Sequence, residues 1–117
     1  MRYLCLIYED EEASMRMSKE EQGSWFGAYA AYTEELRKSG SLLGGEALQP
    51  TSTATTVQVR NGNMSTIDGP FAETKEQLGG FYMIEAKDLE EAIAWAAKIP
   101  SAAKGSIEVR PIMEFGD

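Results

Sequence analysis

The side chains best suited to chemistry lie together between Asp68 and Glu76, a stretch with the sequence DGPFAETKE that we call the 68–76 segment. Four of its nine residues are ionisable: Asp68, Glu73, Lys75 and Glu76. Its glycine and proline constrain the path of the backbone. Carboxylates beside a lysine can serve general acid–base catalysis or bind a polar ligand. The alternative is a solvated loop or helical turn with weak ion pairs.

Asp68 closes a predicted β-hairpin. Two alternating runs flank Asn61-Gly62, a pair typical of a two-residue turn because both of its residues adopt positive φ. The resulting register pairs Thr55 with Asp68 and places Asp68 on the apolar face that includes Val57. A carboxylate there is partly removed from water, which suits it for general acid or base work. Alternatively, Asp68 accepts hydrogen bonds from the backbone of the loop that it opens.

Other candidate residues lie in predicted strands. Arg110 could neutralise Asp68 or bind an anionic ligand, with an ion pair at the edge of an interface as the alternative. Tyr8 and Tyr82 could present hydroxyl groups to a cleft, although tyrosines in strands are more often core residues. Asp68 is therefore the candidate catalytic group. The candidate ligand-binding residues are Tyr8, Phe71, Glu73, Lys75 and Arg110.

The composition excludes several kinds of chemistry. The 117 residues include 19 acidic and 11 basic side chains, one cysteine and no histidine, with a formal net charge of −8. Histidine-based catalysis, a Ser-His-Asp triad and histidine metal sites are therefore excluded. One cysteine can form neither an intramolecular disulfide nor a thiolate zinc cage. The negative charge argues against nucleic acid or an anionic membrane as a direct partner.

The sequence carries no motif for a cofactor or a metal. Gly44-Gly45 and Gly79-Gly80 lack the spacing of a phosphate-binding loop. The acidic run 9–12 lacks the glycine and alternating ligands of a calcium loop, so we expect a solvated turn there. No stretch approaches the roughly 18 apolar residues that span a bilayer. A single cysteine in a strand-like segment fits a reducing compartment, and we predict a cytoplasmic protein.

The order of predicted elements indicates an α+β fold. Ser18 and Glu21 form a capping box that starts a helix, and Gly40 is suited to end it in the left-handed conformation. Asp88 starts a second helix. In chain order we predict a strand over 2–8, the first helix, a strand over 41–48 broken by glycines, the hairpin, a strand over 80–86, the second helix up to 99–100, and a strand over 106–115. This is a ferredoxin-like split βαβ pattern with an inserted β-hairpin, in a single domain over 1–117.

The central strands predict a homodimer. The first strand is apolar on both faces, with Cys5 and Ile7 on one and Leu4 and Leu6 on the other, and the strand over 80–86 is similar. Two helices can cover only one face of such a sheet. We therefore expect a second copy to pack sheet against sheet through a mostly apolar interface. A ligand cavity or a long loop over that face is the alternative.

The 68–76 segment resembles the signature of the YCII-related, DGPF-type domain family. The resemblance covers nearly the whole chain and includes the opening strand, GGEALQP at 44–50, GGFY at 79–82 and EVRP at 108–111. It implies a dimeric α+β barrel of ferredoxin-like subunits, without a settled reaction. A histidine–aspartate pair proposed as catalytic in the wider group cannot be carried over, because this sequence has no histidine. Relatives associated with sigma factors imply a protein of the transcription machinery as a partner.

Three functions remain open from the sequence. The favoured one is a dimeric domain that binds a small molecule in a cleft near the 68–76 segment, because that charged segment lies beside an apolar face while catalytic partners are missing. The second is a histidine-free lyase or isomerase in which Asp68 acts as acid or base and Arg110 or Lys75 stabilises an anion. The third is a protein-interaction module in sigma-factor-dependent transcription.

Overall fold

The computed structural model describes residues 1–116. Its helices and strands are, in chain order, β1 (Arg2–Glu9), α1 (Glu11–Met15), α2 (Lys19–Ser39), β2 (Leu42–Ala47), β3 (Thr55–Arg60), β4 (Asn63–Asp68), β5 (Gln77–Glu85), α3 (Leu89–Ala97) and β6 (Ser106–Pro111). Short 3₁₀ turns occupy Thr51–Thr53 and Pro100–Ala103. The predicted element order is confirmed, with one added helix, α1.

Four strands form an antiparallel sheet in the order β2-β5-β1-β6. The two central strands, β5 and β1, are thus the two strands that the sequence marks as apolar on both faces. The architecture is α+β and compatible with a ferredoxin-like fold. Pro111 lies at the end of the edge strand β6, as expected for a residue that cannot donate a backbone hydrogen bond. β6 is shorter than predicted, and β5 starts earlier, at Gln77.

Local capping signals explain where the helices begin and end. The Ser18 hydroxyl accepts a hydrogen bond from the backbone of Glu21, and the Glu21 carboxylate accepts one from the backbone of Ser18. Gly40 ends α2 with φ of 84°, the left-handed conformation that favours glycine. Asp88 caps α3. All three predicted caps are confirmed.

The acidic run 9–12 is not the solvated turn that we predicted. Glu9 is the last residue of β1, and Asp10 caps α1 by accepting hydrogen bonds from backbone N–H groups. The Glu11 carboxylate accepts hydrogen bonds from the backbone and hydroxyl of Thr51, at 2.8 and 2.7 Å. Asp10 and Glu11 therefore hold the chain in place, Asp10 through the start of α1 and Glu11 through the segment at Thr51.

The helices cover one face of the four-stranded sheet, where the core forms. Tyr3, Cys5 and Ile7 of β1 are buried there against Tyr32 and Leu36 of α2. The opposite face has no cover within residues 1–116, and its apolar side chains are only half-buried. Those side chains are Leu4, Leu6, Phe81 and Met83. The predicted contrast between one covered and one uncovered apolar face is therefore present in the chain.

The hairpin of β3 and β4 forms a separate two-stranded sheet. Its register is the predicted one, with Thr55 opposite Asp68, and Asn61 and Gly62 have φ of 55° and 79°. Every residue of β4 is exposed, so the expected partial removal of Asp68 from water is wrong for the single chain. The alternative also fails, because no hydrogen bond to the Asp68 carboxylate occurs within residues 1–116.

Candidate functional site

A cavity of about 420 Å³ lies between the middle of α2 and the helix-covered face of the sheet, and we call it the α2 cleft. The helix contributes Trp25, Phe26, Tyr29 and Thr33 to its walls. Ile7 and Glu9 come from β1, and the remaining lining residues come from β2 and β5. The cleft therefore lies where one helix crosses three neighbouring strands.

Two glycines in neighbouring strands leave the floor of the α2 cleft without side chains. A Cβ atom at Gly80 would lie 2.7 Å from the carbonyl oxygen of Glu46, and one at Gly45 would lie 2.8 Å from that of Phe81. Both distances are shorter than van der Waals contact, so the close approach of β2 and β5 requires glycine at these positions. The space above them stays open because neither residue has a side chain to fill it.

Glu9 is the acidic side chain that faces the α2 cleft. Side chains alternate along β1, so Glu9 lies on the same face as Cys5 and Ile7 and is half-buried. The hydroxyl of Ser101, which is fully buried, donates a hydrogen bond to its carboxylate. The hydroxyl of Ser14 donates to the other carboxylate oxygen at 3.2 Å. The carboxylate is thus fixed in place by two hydroxyl groups.

Tyr29 extends this hydrogen-bond chain toward α2. Its hydroxyl is hydrogen-bonded to the Ser101 oxygen. Because the one Ser101 hydroxyl proton goes to Glu9, Tyr29 must be the donor in this bond. Burial raises the pKa of the Tyr29 phenol to about 12. The hydrogen bond between Tyr29 and Ser101 lowers this pKa somewhat, and the negative charge of Glu9 raises it. Tyr29 is therefore neutral at physiological pH and keeps its proton in the chain.

Tyr82 provides a second polar position in the α2 cleft. Its hydroxyl is 2.6 Å from that of Thr33. The Tyr82 ring is nearly parallel to that of Tyr29, with centroids 6.5 Å apart, and Trp25 meets Tyr29 edge to face at 5.7 Å. Aromatic pairs in these geometries add stability beyond the area that they bury. The α2 cleft therefore has an aromatic wall, the hydroxyl pair of Thr33 and Tyr82, and the carboxylate of Glu9.

The structure places most of the sequence-predicted site residues outside the α2 cleft. Asp68, Glu73 and Lys75 are exposed, and Phe71 is 81% exposed. No hydrogen bond or ion pair joins Asp68 to Arg110 within residues 1–116. The 68–76 segment nevertheless leads directly into β5, whose Gly79 and Gly80 line the cleft.

Two of the three candidates in the four-stranded sheet, Arg110 and Tyr8, lie away from the cleft as well. Arg110, also exposed, lies 3.8 Å from the carboxylate of Glu108. Tyr8 is half-buried and alternates to the opposite face of β1 from Ile7. Tyr82, named from the sequence for its hydroxyl, does line the cleft. The predicted residues are therefore distributed over the hairpin, the loop and both sides of the sheet.

Sequence reasoning missed Glu9, Tyr29 and Thr33 as cleft residues. A signal for Glu9 was present, because it continues the alternation of Tyr3, Cys5 and Ile7 and so puts a carboxylate on the buried face of a strand. Tyr29 recurs at helical spacing with Trp25, Tyr32 and Leu36, a pattern that indicates the buried face of a helix and gives no sign of a cavity beside it. Among the described residues, no group of three or more acidic or cysteine side chains is placed to hold a metal ion.

No helix within residues 1–116 is both long and apolar enough to cross a membrane.

Comparisons with known proteins agree with the architecture. The chain is 40% identical over 114 residues to an uncharacterized protein of Rhizobium meliloti (strain 1021). The aligned region covers 96% of this chain and 92% of the relative. It is similar in fold to 5-chloro-2-hydroxyhydroquinone dehydrochlorinase from Burkholderia phenoliruptrix AC1100, solved with 2,5-dihydroxybenzoquinone. The TM-score is 0.54 at 16% identity, with 98% of this chain and 96% of that chain covered. The model of the YCII-related domain matches residues 1–116, and the chain belongs to this family.

Proposed function

We propose that this protein binds a small molecule in the α2 cleft. The observation that carries the proposal is a half-buried carboxylate, Glu9, in a cavity with aromatic walls. A volume of about 420 Å³ lies within the range of ligand sites, which combine mostly apolar walls with a few polar groups in fixed positions. The structural neighbour, which shares the fold, was solved with a small quinone, and this supports a ligand of similar size.

A screen of metabolites and metal ions by thermal shift tests this proposal. A ligand that binds only the folded state stabilises it by about 2.7 kcal/mol at a hundredfold excess over its dissociation constant. Ala47→Leu fills the cleft, because Ala47 pairs with Gly80 on the same sheet face and is itself exposed, which leaves room for a larger side chain. Ala31→Leu makes the same change on an exposed part of α2 that does not line the cleft.

We expect Ala47→Leu to remove the stabilisation by every ligand of the cleft and Ala31→Leu to retain it. Ligands whose effect survives Ala47→Leu bind elsewhere. A screen in which all the stabilising ligands behave that way contradicts the proposal.

We propose further that the working form is a homodimer built as an α+β barrel. The uncovered sheet face, with Leu6 and Phe81, supports this, because a second copy of the same face would bury both. The hairpin adds support, since Val57, Val59 and Met64 are all more than half exposed. An isolated two-stranded hairpin with no cover is at best marginally stable in water, so a partner surface would stabilise it.

A second candidate function is protein interaction through the 68–76 segment. Phe71 is 81% exposed and is flanked by the exposed charges of Asp68, Glu73 and Lys75. An exposed aromatic ring with charged neighbours is typical of the centre and rim of a contact surface. Under this hypothesis the segment binds a protein of the transcription machinery. Phe71→Ala would then weaken capture of that partner while leaving ligand binding in the α2 cleft unchanged.

A further inference from the structure

We infer that the α2 cleft selects a small aromatic molecule that carries a positively charged amine, with the ammonium group bound by the Glu9 carboxylate and the ring between the aromatic walls. This inference rests on the proposed function and names the ligand class of the same site.

The carboxylate of Glu9 has no ion-pair partner in the described part of the chain, although Lys104 lines a neighbouring depression together with it. The residues that line the cleft include no lysine or arginine. Its two hydrogen-bond donors, Ser101 and Ser14, are neutral hydroxyls. A half-buried carboxylate without a cation favours a ligand that brings one, because the charge-assisted hydrogen bond is stronger than a neutral one.

The directions of the hydrogen bonds around Glu9 also favour a ligand that donates hydrogen bonds there. An ionised carboxylate has about four lone-pair sites, and only two are used by hydroxyl groups here. The Tyr29 proton is committed to Ser101, so the free position on the Tyr29 oxygen is an acceptor. This end of the cleft thus offers hydrogen-bond acceptors. A ligand ammonium group can donate hydrogen bonds to them, whereas the negative charge of Glu9 would repel a ligand carboxylate.

The aromatic walls suit a ring that carries a cation. Trp25, Tyr29 and Tyr82 present ring faces and edges to the α2 cleft, where another ring can stack. The ammonium group of Lys104 already lies 4.7 Å from the centroid of the Trp25 ring, in a depression next to the cleft. Cations are attracted to aromatic faces in this way, so the rings of Tyr29 and Tyr82 can likewise attract a ligand that carries positive charge.

Glu46, the other acidic residue of the lining, does not share this role. Glu46 pairs with Phe81 across β2 and β5. The neighbouring pair, Gly45 and Tyr82, lies on the sheet face that lines the cleft. Alternation puts the Glu46 carboxylate on the other face of the sheet, so Glu46 contributes backbone to the lining. Glu46→Gln is therefore a matched control for Glu9→Gln, because both changes remove one negative charge.

Isothermal titration calorimetry with three probes of one shape tests the inference: 2-phenylethylamine, 2-phenylethanol and 3-phenylpropanoate. We expect the amine to bind at least about tenfold more tightly than the alcohol, and the carboxylate to bind weakest. Glu9→Gln should weaken amine binding about tenfold, whereas Glu46→Gln should change it less than about twofold. The comparison of probes uses the unmodified protein and does not depend on how the variants fold.

Equal or tighter binding of the alcohol or the carboxylate would overturn the inference, as would absence of binding by all three probes. The proposed function survives either result if the metabolite screen yields ligands that Ala47→Leu displaces. It fails only when the screen itself yields no ligand of the cleft. The two failures are therefore distinguishable.

Discussion

The hydroxyl of Ser101 donates a hydrogen bond to the carboxylate of Glu9, although 92 positions separate the two residues. Ser101 lies in the 3₁₀ turn after α3, and Glu9 is the last residue of β1. The same serine oxygen accepts the proton of Tyr29 from α2. Three distant segments thus meet in one hydrogen-bond chain, and the charged corner of the α2 cleft exists only when all three are in place.

Replacing Ser101 should destabilise the fold. Ser101→Ala removes two hydrogen bonds at a fully buried position and leaves the Tyr29 hydroxyl without its acceptor. We expect a loss of about 1–3 kcal/mol in the free energy of unfolding, measured by urea denaturation. Ser65→Ala, at an exposed position of the hairpin, should stay within about 0.5 kcal/mol. Equal effects of the two substitutions would show that the hydrogen bonds of Ser101 contribute nothing to stability.

Gly80 and Gly79 are adjacent but should respond very differently to alanine. A Cβ atom at Gly80 would lie 2.7 Å from a backbone oxygen, whereas one at Gly79 would lie 4.0 Å from the backbone oxygen of Ile7. We expect Gly80→Ala to cost about 1–3 kcal/mol, because two strands must separate. Gly79→Ala should be neutral or slightly stabilising, since alanine restricts the unfolded chain. Thermal unfolding of the two variants measures the difference, and a neutral Gly80→Ala would contradict the tight approach of β2 and β5.

The buried thiol of Cys5 should make the protein sensitive to alkaline pH. Burial raises the pKa of the Cys5 thiol from 9.0 to about 11, so the unfolded chain loses this proton first as the pH rises. The free energy of unfolding should therefore fall between about pH 9 and pH 11, by at most about 1.4 kcal/mol per pH unit for this group. Urea denaturation at a series of pH values measures the slope.

Cys5→Ala provides the comparison, because it removes the thiol and should make the decline shallower. The Tyr29 phenol, whose pKa burial also raises, contributes at higher pH and remains in the variant. Identical slopes with and without the thiol would refute its part in the effect. A thiol reagent should leave folded Cys5 unmodified at pH 8 and modify one thiol per chain in denaturant.

Light scattering at low micromolar concentration tests the proposed homodimer. We expect twice the mass of one chain for the unmodified protein. Leu6→Glu should shift the mass toward the monomer, because Leu6 lies on the uncovered sheet face, where a charge would be buried between two copies. Leu89→Glu, on the exposed start of α3, should leave the dimer intact. A monomeric mass for the unmodified protein at this concentration rules the proposal out.

Asp68→Asn separates the two candidate regions. The Asp68 side chain is exposed and has no hydrogen bond within residues 1–116, so we expect the free energy of unfolding to stay within about 0.5 kcal/mol. Binding of cleft ligands should be unchanged as well. If a reaction is found, turnover lost with affinity intact would assign Asp68 an acid or base role. Lost affinity would instead place the 68–76 segment at the ligand.

Local features of the fold were predictable because their causes lie within a few residues. The capping box at Ser18 and the left-handed Gly40 each satisfy backbone groups next to them in the chain. The Asn61-Gly62 turn sets the whole register of the hairpin, including the pairing of Thr55 with Asp68. The prediction was wrong for Asp68 itself, since its surroundings depend on what covers the hairpin.

The site was harder to predict because residue type alone does not say which groups meet. The cluster of ionisable residues in the 68–76 segment predicted a site there, but Asp68, Glu73 and Lys75 are exposed in the structure. The acidic run 9–12 predicts a solvated turn that includes Glu9. Ser101 and Tyr29 lie beside Glu9 only in the folded chain, so the sequence alone does not indicate their hydrogen-bond chain.

The sequence by itself determined the α+β class, the helix caps, the hairpin register and the apolar character of both faces of β1, because each follows from short-range periodicity and backbone hydrogen bonding. Only the tertiary structure decided that the cavity lies between α2 and the sheet. Its floor of glycines comes from β2 and β5, and its carboxylate is held by a serine from beyond α3. These groups are far apart in the chain, and their convergence depends on how the helices pack on the sheet.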